Sequence, residues 1–214
     1  MIGLSWAILA SGVLAIATGG QVRHKLFYLF KPLTTVLIIA LAMLVLPEGA
    51  DRHWLLAALV FCLIGDVALM RRGDLAFAAG LAAFLVGHGL FIAVFLNRQT
   101  EFTWPAWWPV LVVYAVGMLA WLLPKTGKLA PAVLLYVAAI MGMALSAGSL
   151  AAGGLLATVG WQGKPLVLLG ALLFVASDTL LAIDRFIKPF AAAHGLILAT
   201  YYSALWCMVM GSAA

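Results

Sequence analysis

The chain has 214 residues, of which 66% are hydrophobic and only 9% are charged, and its mean hydropathy is +1.18. A soluble domain of this size could not cover so much apolar surface with so few charges, so the composition excludes a soluble protein. The net charge of +5 is also found in nucleic-acid binders, but here the basic residues lie in short loops between apolar runs. That arrangement is typical of membrane orientation, and we expect a lipid bilayer as partner and no nucleic acid.

Eight apolar runs, most of them near the roughly 20 residues that a spanning helix needs, predict an all-α membrane protein. We expect one domain, residues 1–214, folded as a single bundle of eight transmembrane helices, because no linker or soluble insert of domain size separates the runs. The predicted spans are Leu4–Thr18, Lys31–Leu46, Trp54–Met70, Leu75–Leu96, Trp108–Leu123, Leu129–Ser149, Pro165–Ile183 and Ala191–Gly211. Pro32 then falls in the first turn of the second span, where proline is well tolerated.

Lysine and arginine are distributed unevenly among the predicted loops. Even-numbered loops hold only Arg52, Arg98 and Lys164, whereas all the others, Arg23 among them, lie in odd-numbered loops. The positive-inside rule therefore places the odd loops in the cytoplasm and both termini outside. We expect a multi-pass protein of the bacterial cytoplasmic (inner) membrane.

Two aspartates interrupt apolar spans, Asp66 in the third and Asp178 in the seventh. A charged aspartate at mid-membrane costs about 2.5–3.5 kcal/mol on insertion scales, so each calls for a reason. Both lie four or five residues before the predicted cytoplasmic end of their span, roughly 6–8 Å deep. Two carboxyls in a low-dielectric site do not both ionise easily, so one would keep its proton and the other would stay a base. The pair is therefore a candidate catalytic dyad; the alternative is that each aspartate only packs helices through a hydrogen bond.

The sequence around the two aspartates is similar, with a Phe upstream, a small residue directly before the Asp and a Leu three residues after it. Because the two positions are four helices apart, a duplication would give a parallel repeat of two four-helix halves, 1–100 and 101–214. The match covers only a handful of residues and leaves the repeat open.

Other polar residues fall near the same predicted rim or inside a span. Lys31 either snorkels to the interface or holds a lipid phosphate. His88 lies mid-span and is either a site residue or a hydrogen-bonded interior histidine, while His194, near a loop, is either in the site or interfacial. At least one of Tyr201 and Tyr202 should point inward, for the site or for core packing.

The cysteines and histidines give no metal signature. Cys62 and Cys207 are far apart without a CxxC partner, and the four histidines have no HxxxH or HExxH spacing. We therefore expect no metal and no cofactor.

Together these residues resemble the YhhN family of integral-membrane lysoplasmalogenases over most of the chain. The resemblance is carried by Lys31-Pro32, Gly65-Asp66-x-x-Leu69-Met70, Gly80-x-x-x-Phe84 leading to His88, Phe174-x-x-Ser177-Asp178-x-x-Leu181-Ala182 and Tyr201-Tyr202. It implies hydrolysis of the vinyl ether bond of a lysoplasmalogen to a fatty aldehyde and a glycerophospho-headgroup. It also implies a lysophospholipid substrate that contacts Lys31, His88, Ser177, His194, Tyr201 and Tyr202.

The implied chemistry suits two carboxyls. Vinyl ether cleavage needs a proton on carbon and then water on the oxocarbenium ion, so a general acid and a general base are sufficient. Two other classes stay open, a proton-coupled small-molecule transporter and a zinc-dependent membrane lipid amidase. The sequence leaves open the headgroup, the chain length, which aspartate is the acid, and the oligomeric state.

Overall fold

The structure is a computed structural model that describes residues 2–19, 25–156 and 164–213; the predicted loop residue Arg23 lies outside them. The described residues form eight α-helices, a 3₁₀ turn and a π-helical turn, and they contain no strand, which confirms the all-α prediction. The α-helices are α1 (Ile2–Gly19), α2 (Lys25–Val45), α3 (Ala50–Leu69), α4 (Asp74–Asn97), α5 (Trp108–Thr126), α6 (Ala130–Leu156), α7 (Lys164–Ala182) and α8 (Ala193–Ala213). The 3₁₀ turn is Gly127–Leu129 and the π-helical turn is Ile183–Ile187.

The count of membrane-spanning segments differs slightly from the predicted eight. Among the described residues, 7 helical segments are long and apolar enough to cross a membrane, because Trp108–Gly153 runs on as one segment of 46 residues. At 1.5 Å per residue this segment would be about 70 Å long if straight, more than twice the hydrocarbon core. However, α5 packs against α6, and Gly127 between them has a φ of +54°, so the segment folds back on itself.

The start of α2 also differs from the prediction. The helix begins at Lys25, six residues before the predicted start, because the intervening residues are mostly apolar and aromatic and continue the helix. Pro32 therefore lies inside the helix, where its missing N–H removes one backbone hydrogen bond. Lys31 consequently lies nearly two turns after the start of α2 at Lys25, about 9 Å along the helix axis.

Six of the helices form a closed ring. In the order α2, α3, α4, α6, α7 and α8, each packs against the next, and α8 packs back against α2. Helix α1 packs on α2 and α8, and α5 packs on α6 and on the π-helical turn. Only Leu122 and Thr126 of α5 are buried, so α5 is the most peripheral helix. The ring arrangement turns one face of each of its six helices toward a common interior.

Glycines allow the close helix contacts of the ring. A Cβ at Gly65 would lie 2.5 Å from the ring of Phe84, and one at Gly80 would lie 2.8 Å from Leu69, so α3 and α4 approach closely at both points. Gly170 brings α7 similarly close to the backbone of α8. Small residues at helix interfaces are how membrane bundles pack closely, and here they bring the segments with the two aspartates against their neighbours.

Ion pairs join the loops at the two ends of the bundle. At one end Arg185, after α7, pairs with Asp74 at the start of α4. At the other end Arg98 pairs with Asp51 at 3.1 Å and donates to the Ser212 carbonyl at 2.7 Å. Thus the loops predicted to be cytoplasmic share one end of the bundle; which side of the membrane that end faces stays a prediction.

Candidate active site

Each of the six ring helices contributes at least one polar side chain to the interior. These side chains are Lys31 on α2, Asp66 on α3, His88 on α4, Tyr136 on α6, Asp178 on α7 and Tyr201 on α8. Their contacts divide them into two groups. We call Lys31, Thr35, Asp66 and Tyr201 the Asp66 cluster, and His88, Tyr136 and Asp178 the Asp178 cluster.

In the Asp66 cluster, donors surround both carboxylate oxygens. Oδ2 of Asp66 accepts hydrogen bonds from the hydroxyls of Thr35 at 2.7 Å and Tyr201 at 2.8 Å. Nζ of Lys31 lies 3.6 Å from Oδ1, and the side chains of Lys31 and Asp66 are only 9% and 2% exposed. Hydrogen bonds and a nearby cation favour the charged form of a carboxylate, whereas burial opposes it.

Tyr202 supports the Asp66 cluster through the backbone. Its hydroxyl donates to the carbonyl oxygen of Lys31 at 3.2 Å, and its ring packs against that of Tyr201 with centroids 5.3 Å apart. Both predicted tyrosines therefore point inward, but only Tyr201 reaches a carboxylate.

In the Asp178 cluster, a single hydrogen bond holds the carboxyl. The Tyr136 hydroxyl donates to Oδ2 of Asp178 at 2.6 Å, and Nε2 of His88 lies 4.0 Å from the same oxygen, too far for a direct hydrogen bond. The Asp178 side chain is 15% exposed, because it lies on the wall of a cleft. A carboxyl with one donor in apolar surroundings keeps its proton more readily than one with three donors.

The His88 ring is buried, and no side chain in the described part of the protein makes a hydrogen bond with it. Among the described residues, neither of its ring nitrogens has a partner, although an unsatisfied buried polar group costs about 1–3 kcal/mol. Its ring packs edge-on against Phe174 and Tyr136, with centroids 4.8 Å and 5.1 Å away. Nε2 of His88 faces Asp178, and whether His88 is a site residue or an interior histidine stays a prediction.

Aromatic rings separate the two clusters. The ring of Tyr201 packs against Phe174 at 5.5 Å, and Phe174 packs against His88 at 4.8 Å. No hydrogen bond between the described residues joins Asp66 directly to Asp178. Whether the two carboxyls act as one dyad therefore stays a prediction.

Asp178 lines an apolar cleft that α4, α5, α6 and α7 enclose. The cleft contains about 590 Å³ of empty space when its open mouth is counted. Its polar groups are the hydroxyls of Tyr114, Tyr136 and Thr179 and the carboxyl of Asp178. Tyr114 and Thr179 are hydrogen-bonded to each other across α5 and α7. The arrangement can place an apolar molecule beside one carboxyl.

Two predicted site residues have side-chain contacts with backbone carbonyls and not with either carboxyl. The Ser177 hydroxyl donates to the Ile197 carbonyl at 3.0 Å and so joins α7 to α8. Nε2 of His194 lies 3.4 Å from the Ala15 carbonyl, and its ring packs on Phe27. In this structure both residues hold helices together, and their predicted contact with substrate stays untested.

Sequence reasoning missed two residues of the clusters, Thr35 and Tyr136. Thr35 comes one helical turn after Lys31, on the same face of α2. That spacing would have predicted that the two side chains lie close together. Tyr136 is the only tyrosine of α6, and a phenol in an apolar span needs a partner, which Asp178 provides.

The described part of the chain contains no group of three or more His, Cys, Asp or Glu side chains that could hold a metal ion. Cys62 and Cys207 are both buried and free.

Comparison with known proteins gives a consistent result. The profile of the YhhN family matches residues 26–212. A protein of Mycobacterium bovis named lysoplasmalogenase is 30% identical over 225 residues, which covers 92% of this chain and 81% of that protein. Human lysoplasmalogenase TMEM86B is 35% identical over 160 residues, covering 74% of this chain and 62% of the human protein. Bovine lysoplasmalogenase TMEM86A is 34% identical over 151 residues, covering 68% and 59% of the two chains. No solved structure matches the chain.

Proposed function

The chain belongs to the YhhN family, and we propose that it is a lysoplasmalogenase. It hydrolyses the vinyl ether bond of a lysoplasmalogen in the membrane and releases a fatty aldehyde and a glycerophospho-headgroup. The observation that carries the proposal is the carboxyl of Asp178 on the wall of an apolar cleft, with Nε2 of His88 4.0 Å away. The names of the relatives supply the substrate class.

In the first step Asp178 acts as the general acid. Its proton goes to the vinyl carbon that does not carry oxygen, and the π electrons of the double bond form the new C–H bond. The other vinyl carbon becomes an oxocarbenium ion stabilised by the ether oxygen. General acid catalysis of this kind contributes about 10²–10⁴-fold in rate.

In the second step water adds its oxygen to the oxocarbenium carbon and gives a proton to the general base, for which we propose Asp66. The product is a hemiacetal. When the hemiacetal collapses, its hydroxyl proton returns to Asp178, the bond from carbon to the glycerol oxygen breaks, and that oxygen takes the proton from Asp66. Both carboxyls recover their starting states, and one water is consumed with no cofactor.

The surroundings of the two carboxyls support this division of roles. Three donors converge on Asp66, as suits the ionised base, whereas Asp178 has one donor and lies in an apolar cleft, as suits the protonated acid. Asp66 does not line the cleft, so its role requires a proton path past Phe174. Tyr201 lies on that path, because its hydroxyl donates a hydrogen bond to Asp66 and its ring packs against Phe174.

Lys31 was predicted to hold the lipid phosphate, and it is also absent from the described lining of the cleft. Its ammonium already faces Asp66, so a phosphate would have to compete with that carboxylate. We propose instead that Lys31 keeps Asp66 ionised, and the phosphate role stays an untested prediction.

The test uses the purified full chain in detergent with two lysophospholipids of equal chain length, one with a vinyl ether and one with a saturated alkyl ether. We expect aldehyde and free headgroup from the vinyl ether alone, because a saturated ether has no double bond to protonate. Absence of aldehyde from the vinyl ether, with protein that still unfolds cooperatively, would contradict the proposal and favour the transporter alternative. Loss of turnover with a chelator, restored by zinc, would favour the zinc amidase class.

A further inference from the structure

A second apolar groove lies beside the catalytic cleft along the seam between α5 and α6. It contains about 710 Å³ of empty space, counting its open side, and every residue that lines it is apolar. Its far end is formed by Trp104 and Trp108, at the end of the bundle opposite the Arg185–Asp74 ion pair. Ala115 and Met141 line both this groove and the catalytic cleft, so the two spaces meet at these two side chains.

The catalytic cleft has a polar end and an apolar end. At the polar end Arg185 stacks on Phe77, a residue of the cleft, at 5.0 Å, and Lys125 lies over Trp121 at 5.8 Å. Away from that end the lining becomes Ile140, Met141 and Ala115, without a charged group. A lysolipid whose vinyl bond lies at Asp178 would therefore direct its phosphate toward the basic end and its hydrocarbon chain toward Met141.

We propose that the hydrocarbon chain of the substrate passes between α5 and α6 at Ala115 and Met141 and continues in the second groove, as far as Trp108. This inference rests on the proposed function, because it takes the vinyl ether to lie at Asp178. The seven helical steps from Ala115 to Trp108 span about 10 Å, which is the length that the groove adds to the space available to the hydrocarbon chain. The small side chain of Ala115 thus decides whether a long chain fits, and the passage sets chain-length preference.

Ala115→Phe would fill the passage, since a benzyl group replaces a methyl where the two spaces meet. The matched control is Val113→Phe on the same helix, because Val113 is 73% exposed on the lipid-facing side. The substrates are a short-chain and a long-chain lysoplasmalogen with the same headgroup. We expect Ala115→Phe to lower kcat/KM at least about tenfold more for the long chain than for the short chain, equivalent to 1.4 kcal/mol, while the control variant Val113→Phe keeps near wild-type values for both chains.

Equal losses for both chain lengths, or the same effect from Val113→Phe, would overturn the chain path while leaving the hydrolase activity intact. A second measurement does not depend on turnover. A saturated alkyl lysophospholipid with a photoreactive group in mid-chain should label α5 and α6 near Ala115 and Met141, and Ala115→Phe should remove this labelling. Labelling elsewhere, or labelling that the variant leaves unchanged, would contradict the path even if the vinyl ether were never cleaved.

Discussion

Lys31 and Asp66, on the neighbouring helices α2 and α3, hold their charged groups 3.6 Å apart inside the bundle. Both side chains are almost fully buried, so the two charges depend on each other, and the carboxylate also depends on the hydroxyls of Thr35 and Tyr201. Removing one partner of such a pair leaves an uncompensated buried charge, whereas removing both can be nearly neutral. A double variant that lacks both groups can therefore be stable, and its turnover then shows whether Asp66 has a catalytic role or only a structural one.

We therefore expect Lys31→Met to lower the free energy of unfolding by about 3–5 kcal/mol, measured by thermal or denaturant unfolding in detergent. The double variant Lys31→Met with Asp66→Leu should regain most of that stability. If Asp66 is the base, the stable double variant is inactive. Turnover in the double variant near the wild-type rate would show that Asp66 only anchors Lys31.

The role of Lys31 can also be tested by the kinetics of Lys31→Gln, which removes the positive charge. If Lys31 binds the phosphate, its replacement should mainly raise KM. If Lys31 keeps Asp66 ionised, its replacement should mainly lower kcat. We expect the kcat effect, because the ammonium faces a carboxylate and lies outside the cleft. A raised KM with unchanged kcat would support the predicted phosphate role instead.

Asp178→Asn should reduce turnover by about 10²–10⁴-fold, the usual contribution of a general acid, while the protein remains folded. The amide keeps the size of the side chain and still accepts from Tyr136, so stability should change little. The matched control is Glu48→Gln, because the side chain of Glu48 is 95% exposed and lies at the end of the bundle opposite the Arg185–Asp74 pair. Full activity of Asp178→Asn would remove Asp178 from the mechanism.

His88→Phe distinguishes a site histidine from a packing residue. Phenylalanine preserves the ring contacts with Phe174 and Tyr136 but removes two nitrogens that have no partner among the described residues. Stability should therefore be kept or rise slightly, because an unsatisfied polar group is removed. Turnover should fall if Nε2 serves water or substrate beside Asp178; unchanged turnover would make His88 a packing residue.

Much of this arrangement could be predicted from the sequence. Apolar runs and flanking charges located the eight helices to within a few residues, with two exceptions. A short apolar stretch extends α2 before Pro32, and α6 continues to Leu156, seven residues past its predicted end at Ser149. The two aspartates were found because a carboxylate is rare inside a membrane span. The partners of each aspartate were harder to predict, because they come from helices far apart in sequence and the order of the ring cannot be read from local spacing.

The ring also bears on the two-halves hypothesis, which stays a prediction. Helices α1 and α5 lie outside the ring, while α2, α3, α4 and α6, α7, α8 follow each other in it. Asp66 contacts residues of α2 and α8, and Asp178 contacts residues of α6 and α4, which are the corresponding helices if the halves repeat. The two surroundings nevertheless differ, because only Asp178 lines a cleft, and that difference matches the separate roles proposed for the two carboxyls.

The close approach of α3 and α4 at Gly65 predicts a steric effect next to Asp66. Gly65→Ala would place a Cβ 2.5 Å from the Phe84 ring, so the ring or the helices must shift at a cost of about 1–3 kcal/mol. Gly117→Ala is the control, because nothing lies within 4 Å of a Cβ at Gly117. Equal stability of the two variants by thermal unfolding would argue against this helix contact.

The orientation in the membrane gives the last prediction. The Arg185–Asp74 pair puts the loops after α3 and α7 at one end, and most of the lysines and arginines lie at that end, so the positive-inside rule places it in the cytoplasm. Reporter fusions at Gly73 and Lys125 should then read cytoplasmic, and a fusion at Gln99 should read external. Both carboxyls lie in the half of the bundle near that end, so the reaction would take place in the inner leaflet and the headgroup would leave toward the cytoplasm. A reversed reporter pattern would move the reaction to the opposite leaflet while leaving the contacts of both clusters unchanged.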